Sequence, residues 1–320
     1  MKKTLMIGLA AAGWWLSASA TANQQDSWLS GERQYIAAAA SQLHLNAQAY
    51  QQQLGDYCLK AEPLGLAQSQ QAWQQNYQAY LPLQATALGP LVDLKLNWAL
   101  SYWPDKKDTA GRKVKAALAN QAKALSRTHS NLRSQAYLLF ETLSGEQRCA
   151  LLPQILEFYL ATVEQVQQGL TLPALEQLEH AQQLSDFLNS YRLQASQMLR
   201  KLRAMYSAKH QRLRPYQGEA WRADLSMALL RQQLSLLQAR YQANLQPYLA
   251  SVDGKLAEAL AAQFVVASQQ LPQQEPSAAD ANLAAWQEAE QALVELEALF
   301  VHQVPQALNI ELGFNNNDGD

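Results

Sequence analysis

The most informative stretch of this 320-residue sequence is WQQNYQAYLPLQATALGPLVDLKLNWALSYWPDKKDTAGRKVKAA, from Trp73 to Ala117. It begins as an amphipathic helix, because Trp73, Tyr77 and Tyr80 recur at i, i+4 and i+7 and share one face. The Gly-Pro pair at 89–90 breaks that helix. The pattern therefore predicts two helices with a long connection between them.

This connection is rich in aromatic, proline and charged residues. It contains the run YWPDKK at 102–107, and the next helix follows with Gly111, Arg112 and Lys115. A connection in a simple helical bundle needs only a few polar residues. Two interpretations stay open: a long crossover packed between helices, or a binding surface built on a rigid loop.

Composition allows one large domain or two ordinary ones. Apolar types make up 48% of the chain, charged types only 16%, and the formal net charge is -2. Gln and Ala fill the surface instead of charged residues, which suits helices. The basic footprint of a nucleic-acid-binding protein is missing, so no nucleic-acid partner is expected.

Residues 1–22 are predicted to be a signal peptide. The lysines at 2–3 precede an apolar run at 5–16, and the small residues at 20–22 provide a cleavage site near Ala22. That run is too short to cross a bilayer comfortably, and no later run reaches the roughly 18 residues that a membrane-spanning helix needs. We therefore expect a soluble, periplasmic protein that does not span a membrane.

The sequence contains two cysteines, Cys58 and Cys149, and both lie near predicted helix ends. An oxidising compartment permits a disulfide between them. The alternative is two separate buried thiols, since a free cysteine behaves as a small hydrophobe. No CxxC motif or Cys/His cluster is present, so a structural zinc site is not expected.

Helical periodicity recurs along the chain, and no strand pattern of useful length is present. The expected fold is all-α, with mostly antiparallel neighbouring helices. The predicted helices are 25–53, 66–83, 111–125, 131–143, 146–166, 175–206, 219–245, 251–270 and 278–303. We assign 23–170 to an N-terminal helical bundle and 171–320 to a C-terminal helical bundle with an irregular tail.

Three segments resemble imelysin-like proteins, in particular the branch described as predicted periplasmic lipoproteins. They are GPLVDLKLNWALSYWPDKKDTAGR at 89–112, RPYQGEAWRADLSMALLRQQLSLL at 214–237 and LGFNNNDGD at 312–320. The resemblance implies two packed helical bundles related by a pseudo-two-fold axis, with a functional cleft between them. It also implies a link to periplasmic uptake of iron or another metal. This chain has no cysteine near the cleavage point and so departs from the lipoprotein name.

Better-known imelysin-like proteins carry a Gly-x-His-x-x-Glu motif that is interpreted as metal-binding. When the following YLLF run is aligned on residues 137–140, Asn131, Arg133 and Ala136 fall at the Gly, His and Glu positions. A guanidinium is permanently cationic and cannot ligate a metal. The metal site is therefore not carried over to this chain.

No other catalytic pattern replaces this motif. None of the five histidines has Asp or Glu three or four residues later, and no nucleophile elbow, P-loop or dinucleotide fingerprint is present. These histidines are His44, His129, His180, His210 and His302. We predict no catalytic residues.

Polar and aromatic residues of the three family-like segments, together with Arg133, are the remaining candidates for ligand binding. They are Asp93, Trp103, Asp105, Arg112, Arg133, Arg214, Trp221, Arg222, Ser226 and Asn315. Asp105 is also typical of a helix cap or a salt-bridge partner. Trp221 and Arg222 are placed early in a helix, where an indole usually packs and a guanidinium can either clamp a carboxylate or cap the partner bundle. Both are candidates for ligand contact.

The resemblance and the missing motif together favour an exported, non-enzymatic protein. It would bind a small ligand or a metal, iron or another divalent ion, in an interbundle cleft. One alternative is a metallopeptidase-like protein of the M75 type, which would need a metal-activated water. Another alternative is a scaffold whose exposed helices contact a partner protein of the envelope.

Overall fold

The fold is described from a computed structural model, which covers residues 9–120, 125, 129–207, 209–277 and 283–312, with side chains from residue 21 onward. The α-helices are α1 (Leu9–Lys60), α2 (Pro63–Tyr80), α3 (Pro90–Asp93), α4 (Leu96–Ser101), α5 (Thr109–Ala119), α6 (Leu132–Phe140), α7 (Gly145–Gly169), α8 (Leu172–Glu176), α9 (His180–Met205), α10 (Ser226–Arg240), α11 (Gln246–Val252), α12 (Gly254–Gln270), α13 (Leu283–Ala298) and α14 (Val304–Leu308). Short 3-10 turns occur at Leu81–Leu83, Pro215–Gln217 and Trp221–Ala223, and π-helical turns at Tyr241–Leu245 and Leu299–Gln303.

The predicted all-α class and the packed helical bundles are confirmed. One group of helices comprises α1, α2, α6 and α7, and a second comprises α9, α10, α12 and α13. Among the described residues, one ladder departs from this pattern: β1 (Tyr206–Ser207) pairs antiparallel with β2 (Arg212–Leu213). This ladder closes the turn that leaves α9.

Helix α1 belongs to both groups, because different parts of it pack against different helices. Cys58, near its C-terminal end, is bonded to α7. Farther back along α1, the ring of Trp28 stacks on Tyr248 of α11 at 5.4 Å, and Glu32 accepts a hydrogen bond from Asn244 in the turn Tyr241–Leu245. The helix therefore joins both groups. The boundary between the two bundles at residues 170 and 171 stays a prediction, and so does the signal peptide at residues 1–22.

Local sequence accounts for several helix ends. Asn131 caps α6 by accepting a hydrogen bond from Ser134 N at 2.9 Å. Ser144 and Gln147 form a reciprocal capping box at the start of α7. Thr171 caps α8 by accepting a hydrogen bond from Ala174 N.

Several predicted helix boundaries are wrong, beginning with the first helix, predicted at 25–53, which continues to Lys60. The predicted helix 175–206 is interrupted, because α8 ends before a turn in which Gln183 Nε2 donates to Leu178 O at 2.7 Å. The segment with Trp221 lies in a 3-10 turn, and left-handed Asp224 (φ 56°) separates this turn from α10. The predicted helix 278–303 does not end the helical structure, which continues to Leu308. Pro305 is tolerated there because it lies in the first turn of α14, where its missing N–H does least harm.

The disulfide between Cys58 and Cys149 is confirmed, with 5.5 Å between the two Cα atoms. It fastens the end of α1 to the beginning of α7. In the described residues, no helix is both long enough and apolar enough to cross a membrane.

We call residues 81–108 the crossover. It follows α2, contains the short helices α3 and α4, and ends where α5 begins. Lys95 and Tyr102 flank α4 with a φ of 53° each, a left-handed conformation that ordinary residues seldom adopt. These two residues limit α4 to about one and a half turns and fix its direction.

Candidate functional site

A cavity of about 950 Å³ lies between the crossover and α9. The crossover wall includes Thr86, Lys95, Trp98, Trp103 and Lys106. The opposite wall, from α9 and residues 214–217, includes Gln197, Arg200, Arg203, Arg214 and Gln217. The cavity is therefore built between the segment that precedes α5 and the second group of helices.

The charge of the cavity wall has a single sign. Five lining side chains are cationic, and none of the described lining residues is acidic. These cations are Lys95, Lys106, Arg200, Arg203 and Arg214. Walls of one charge sign and low polarisability raise the local concentration of ligands of opposite charge.

Aromatic side chains supply the apolar part of the wall. Trp98 lies on α4, is 45% exposed, and packs against Tyr102 with 4.3 Å between ring centroids. Trp103 is almost buried and donates a hydrogen bond from Nε1 to Gln217 O at 3.4 Å. In return, Gln217 Nε2 donates to Lys106 O at 3.1 Å. These two bonds join the walls at one edge of the cavity.

Arg133, which the alignment on the YLLF run matches to the histidine of the imelysin motif, contacts the protein's own backbone and one carboxylate. Its Nη1 donates to Gly218 O at 3.1 Å and to Glu219 O at 3.2 Å, and its Nε lies 3.8 Å from Asp105 Oδ2. Burial lowers the pKa of Arg133, and the nearby Asp105 partly offsets this effect. Arg133 therefore connects α6 to the segment that leads into α10.

Asp105 positions the end of the crossover. Its two carboxylate oxygens accept hydrogen bonds from Thr109 N at 2.7 Å and Ala110 N at 2.9 Å, in the first turn of α5. These contacts and the Arg133 pair are those that the sequence suggested for a capping or ion-pairing carboxylate. The side chain is buried and does not line the cavity.

Behind the cavity lies a buried ion pair between Lys201 and Glu219, with 2.5 Å between Nζ and Oε2. Lys201 Nζ also donates to Gln84 Oε1 at 2.6 Å and to Gln233 Oε1 at 2.8 Å, and Gln84 Nε2 donates to Glu219. Burial lowers the pKa of Lys201, although Glu219 favours its charged form. Gln84 belongs to the crossover, so this pair connects the crossover to α9 and α10.

Arg222 clamps carboxylates that belong to the protein. It binds Asp108 through both terminal nitrogens and Glu141 through Nε at 2.8 Å. Its guanidinium also lies over the rings of Trp221, at 4.3 Å, and Tyr137, at 5.1 Å. Burial lowers the pKa of Arg222, but the hydrogen bonds that it donates to Asp108 and Glu141 outweigh that effect and leave the pKa raised.

The structure brings together only two of the sequence-predicted site residues in the cavity, Trp103 and Arg214. Asp93 and Arg112 are exposed outside it. Ser226 is buried, and its Oγ accepts a hydrogen bond from Ala220 N. Asn315 lies outside the described residues, as does the rest of the chain after 312.

Sequence reasoning missed most of the other lining residues, including four cationic ones and Trp98. Lys95, Trp98 and Lys106 lie inside the segment that resembles imelysin-like proteins, so that segment was the available signal for them. Arg200 and Arg203 lie on the polar face of α9. The sequence of a polar helix face does not reveal whether another segment packs over it. Only the packing of the crossover against α9 turns that face into a cavity wall.

The potential ligand side chains of the described residues do not cluster into a metal site. In the ranges that the structure describes, no group of three or more His, Cys, Asp or Glu side chains could hold a metal ion. At position 133 a guanidinium, itself a cation, replaces the imidazole of the family motif and donates to carbonyls. The residues at this position therefore do not fit a bound metal.

Comparison with known proteins agrees with the architecture. The chain is similar to an imelysin-like protein from Psychrobacter arcticum 273-4, with 17% identity, a TM-score of 0.75, and coverage of 92% of this chain and 98% of that one. It is also similar to a protein assigned as an iron-regulated protein A precursor from Parabacteroides distasonis ATCC 8503, with 11% identity, a TM-score of 0.69, and coverage of 87% and 94%. At these identities the likeness shows the fold alone.

No curated protein matches the sequence. The family profile of imelysin, also called peptidase M75, matches residues 36–304, which is most of the chain. The protein therefore belongs to the imelysin family.

Proposed function

We propose that this protein is a non-enzymatic, exported binding protein that holds a small ligand in the cavity between the crossover and α9. The cavity itself carries this proposal. Its volume of about 950 Å³ lies within the range of small-molecule sites, about 300 to 1,000 Å³. Hydrogen bonds of Trp103 and Gln217 hold the two walls together, so the site is largely preformed.

The residue types that line the cavity favour ligand binding over hydrolysis. The described lining residues include Asn, Gln, Ser, Thr, Lys, Arg and Trp, but no His, Cys, Asp or Glu that could act as a general base or metal ligand. At the positions of the family motif, Arg133 and Ala136 replace the His and Glu that would hold a metal with an activated water. A metallopeptidase activity would need other ligands.

We further propose that the ligand belongs to periplasmic handling of iron or another metal. Membership of the imelysin family supports this link, as does the similarity in fold to a protein assigned as an iron-regulated protein A precursor. A thermal-shift series with Fe(II), Fe(III), Zn(II) and their citrate complexes tests it, because a ligand that binds only the native state raises the melting temperature.

The binding function is tested by what the protein retains from its cell. Mature protein is purified from the periplasm, denatured, and its released small molecules are identified by mass spectrometry. Ala204 lines the cavity, so Ala204→Phe should block it, whereas Ala262→Phe places the same ring on an exposed position of α12. We expect one released compound from the wild type and the Ala262→Phe variant and none from Ala204→Phe. Equal release from all three proteins, or from none, would contradict the proposal.

The peptidase alternative has its own readout. Casein is incubated with the mature protein with and without EDTA. Cleavage that EDTA abolishes, and that persists in the Ala204→Phe variant, would favour catalysis elsewhere in the protein over ligand binding in this cavity.

A further inference from the structure

The cations of the cavity wall are only partly neutralised by the protein. Arg203 pairs with Glu290, with 2.6 Å between Nε and Oε1. For Lys95, Lys106 and Arg200, no carboxylate of the described residues lies within 4.0 Å of the charged nitrogens. Like charges that face one cavity repel each other, and a bound anion relieves that repulsion.

Two buried polar atoms in the same walls lack hydrogen-bond partners. One is Thr86 Oγ1, on a residue that is 1% exposed. The other is Arg214 Nε, although Nη2 of the same guanidinium donates to Arg203 O at 2.9 Å and to Tyr206 O at 2.6 Å. Those two bonds hold the guanidinium in place. A buried donor without a partner costs free energy that an acceptor group on a ligand would recover.

The positions of the charges indicate what kind of anion fits. Lys95 and Lys106 lie on the crossover wall, and Arg200 lies on the α9 wall opposite. A ligand that reaches both walls needs more than one acidic group. Trp98 also lines the cavity, is exposed, and packs against Tyr102, and indole faces bind flat apolar groups and conjugated rings.

From this arrangement we infer that the ligand is a soluble anion with two or more carboxylate or phosphate groups on a flat, apolar portion. The inference rests on the proposed binding function and specifies its ligand class. Arg200 and Lys106 would bind acidic groups from opposite sides, and Trp98 would contact the flat portion. Thr86 and Arg214 would donate to oxygens of the ligand inside the cavity.

Isothermal titration calorimetry with matched probes tests this inference. Benzene-1,3,5-tricarboxylate and 1,4-phenylene bisphosphate carry acidic groups on a ring, benzene-1,3,5-tricarboxamide has the ring without charge, and pyrophosphate has charge without the ring. We expect at least one of the two charged aromatic probes to bind, and both the amide and pyrophosphate to bind at least about tenfold more weakly. The better of the two aromatic anions identifies the acidic group. Binding should also weaken with added salt.

Charge variants locate the binding. Arg200→Gln and Lys106→Gln should each weaken binding about tenfold, the effect of losing one charge-assisted hydrogen bond. Arg112→Gln removes an exposed cation outside the cavity and should leave the affinity unchanged. Circular dichroism and melting temperature show that each variant is folded.

Three results would overturn the inference. These are no binding of either aromatic anion at millimolar concentration, equal binding of the amide or of pyrophosphate, and an equal loss of affinity in Arg112→Gln and Arg200→Gln. The proposed function fails separately, when the wild type and Ala204→Phe release the same small molecules. If the wild type and Ala262→Phe, but not Ala204→Phe, release an uncharged compound, the cavity binds a ligand and only the anion class is wrong.

Discussion

Arg222 and Asp108 form an ion pair between the segment before α10 and the end of the crossover, with 2.5 Å between Nη2 and Oδ2. The arginine is almost fully buried, whereas the aspartate is about one third exposed. The Nε atom of the same guanidinium forms a second ion pair, with Glu141. The crossover is therefore fixed at its far end by a planar, two-sided contact that a lysine could not reproduce.

Gly111→Ala is the sharpest test of this contact. A Cβ at position 111 would lie 2.5 Å from Asp108 Oδ2 and 2.7 Å from Arg222 Nη2, so the ion pair would have to move. We expect a loss of about 1 to 3 kcal/mol in the free energy of unfolding, measured by urea denaturation. Gly55→Ala is the control, because its Cβ meets nothing within 4 Å; as a helical Gly→Ala change, it should stabilise by roughly 0.5 to 1 kcal/mol. A neutral Gly111→Ala would contradict this account of the pair.

The buried pair of Lys201 and Glu219 should show strong coupling in a double-mutant cycle. Both side chains are at most 4% exposed, so Lys201→Met leaves an uncompensated carboxylate and should cost about 3 to 5 kcal/mol. Glu219→Gln should also be costly, and the double variant should cost much less than the sum. Urea denaturation measures all three. Glu290→Gln breaks the exposed pair with Arg203 and should cost no more than about 1 kcal/mol. Additive losses at 201 and 219 would refute the coupling.

The sequence predicted the helical class and the importance of the crossover, for physical reasons that the structure makes plain. Trp73, Tyr77 and Tyr80 are fully buried, as their shared helical face implies. One side of the crossover packs, as the first interpretation of the connection holds, and its other side, with Lys95 and Trp98, lines a cavity. A binding surface at this cavity stays a prediction. A periodicity of 3.6 residues shows which side of one helix is apolar. It is a local pattern and does not show which distant segment packs against that side.

The rest of the site depends on contacts between distant segments. Arg200 and Lys201 are adjacent in sequence, but the first lines the cavity and is exposed, and the second is buried against Glu219. Nothing in the local pattern separates their roles. Arg222 was predicted to clamp a carboxylate, and it does so with Asp108, more than a hundred residues away. Partners at such separation are not visible in one sequence.

Asp186 should make stability depend on pH in an unusual direction. Its pKa is raised above the ordinary value of 3.8, chiefly by burial and further by Asp93, while the hydrogen bond from Gln182 opposes the shift. The native state therefore binds this proton more tightly than the unfolded chain does. Stability contributed by this group is complete below the ordinary pKa and is lost as the pH rises through the raised native value.

Asp186→Asn removes that dependence. The variant keeps an acceptor for Gln182 Nε2, which donates to Oδ1 at 2.7 Å, and it should be more stable than the wild type at pH 7 by an amount that shrinks towards pH 3.5. Urea denaturation across this pH range measures the difference. Asp26→Asn removes an exposed aspartate of α1 as the control for loss of one negative charge. A difference that grows as the pH falls would show that the sign is wrong.

Reduction of the Cys58–Cys149 bridge should lower stability through the unfolded chain. The two cysteines are 91 residues apart, and opening so long a loop returns conformational freedom to the unfolded state, at a typical cost of about 2 to 4 kcal/mol. The bridge also holds the end of α1 against the start of α7. Urea denaturation with and without dithiothreitol, with thiol titration to confirm reduction, measures the change. The double variant Cys58→Ala/Cys149→Ala should have the same free energy of unfolding as the reduced wild type, and dithiothreitol should not change it. Identical unfolding curves for oxidised and reduced wild type would exclude a stabilising role for the bridge.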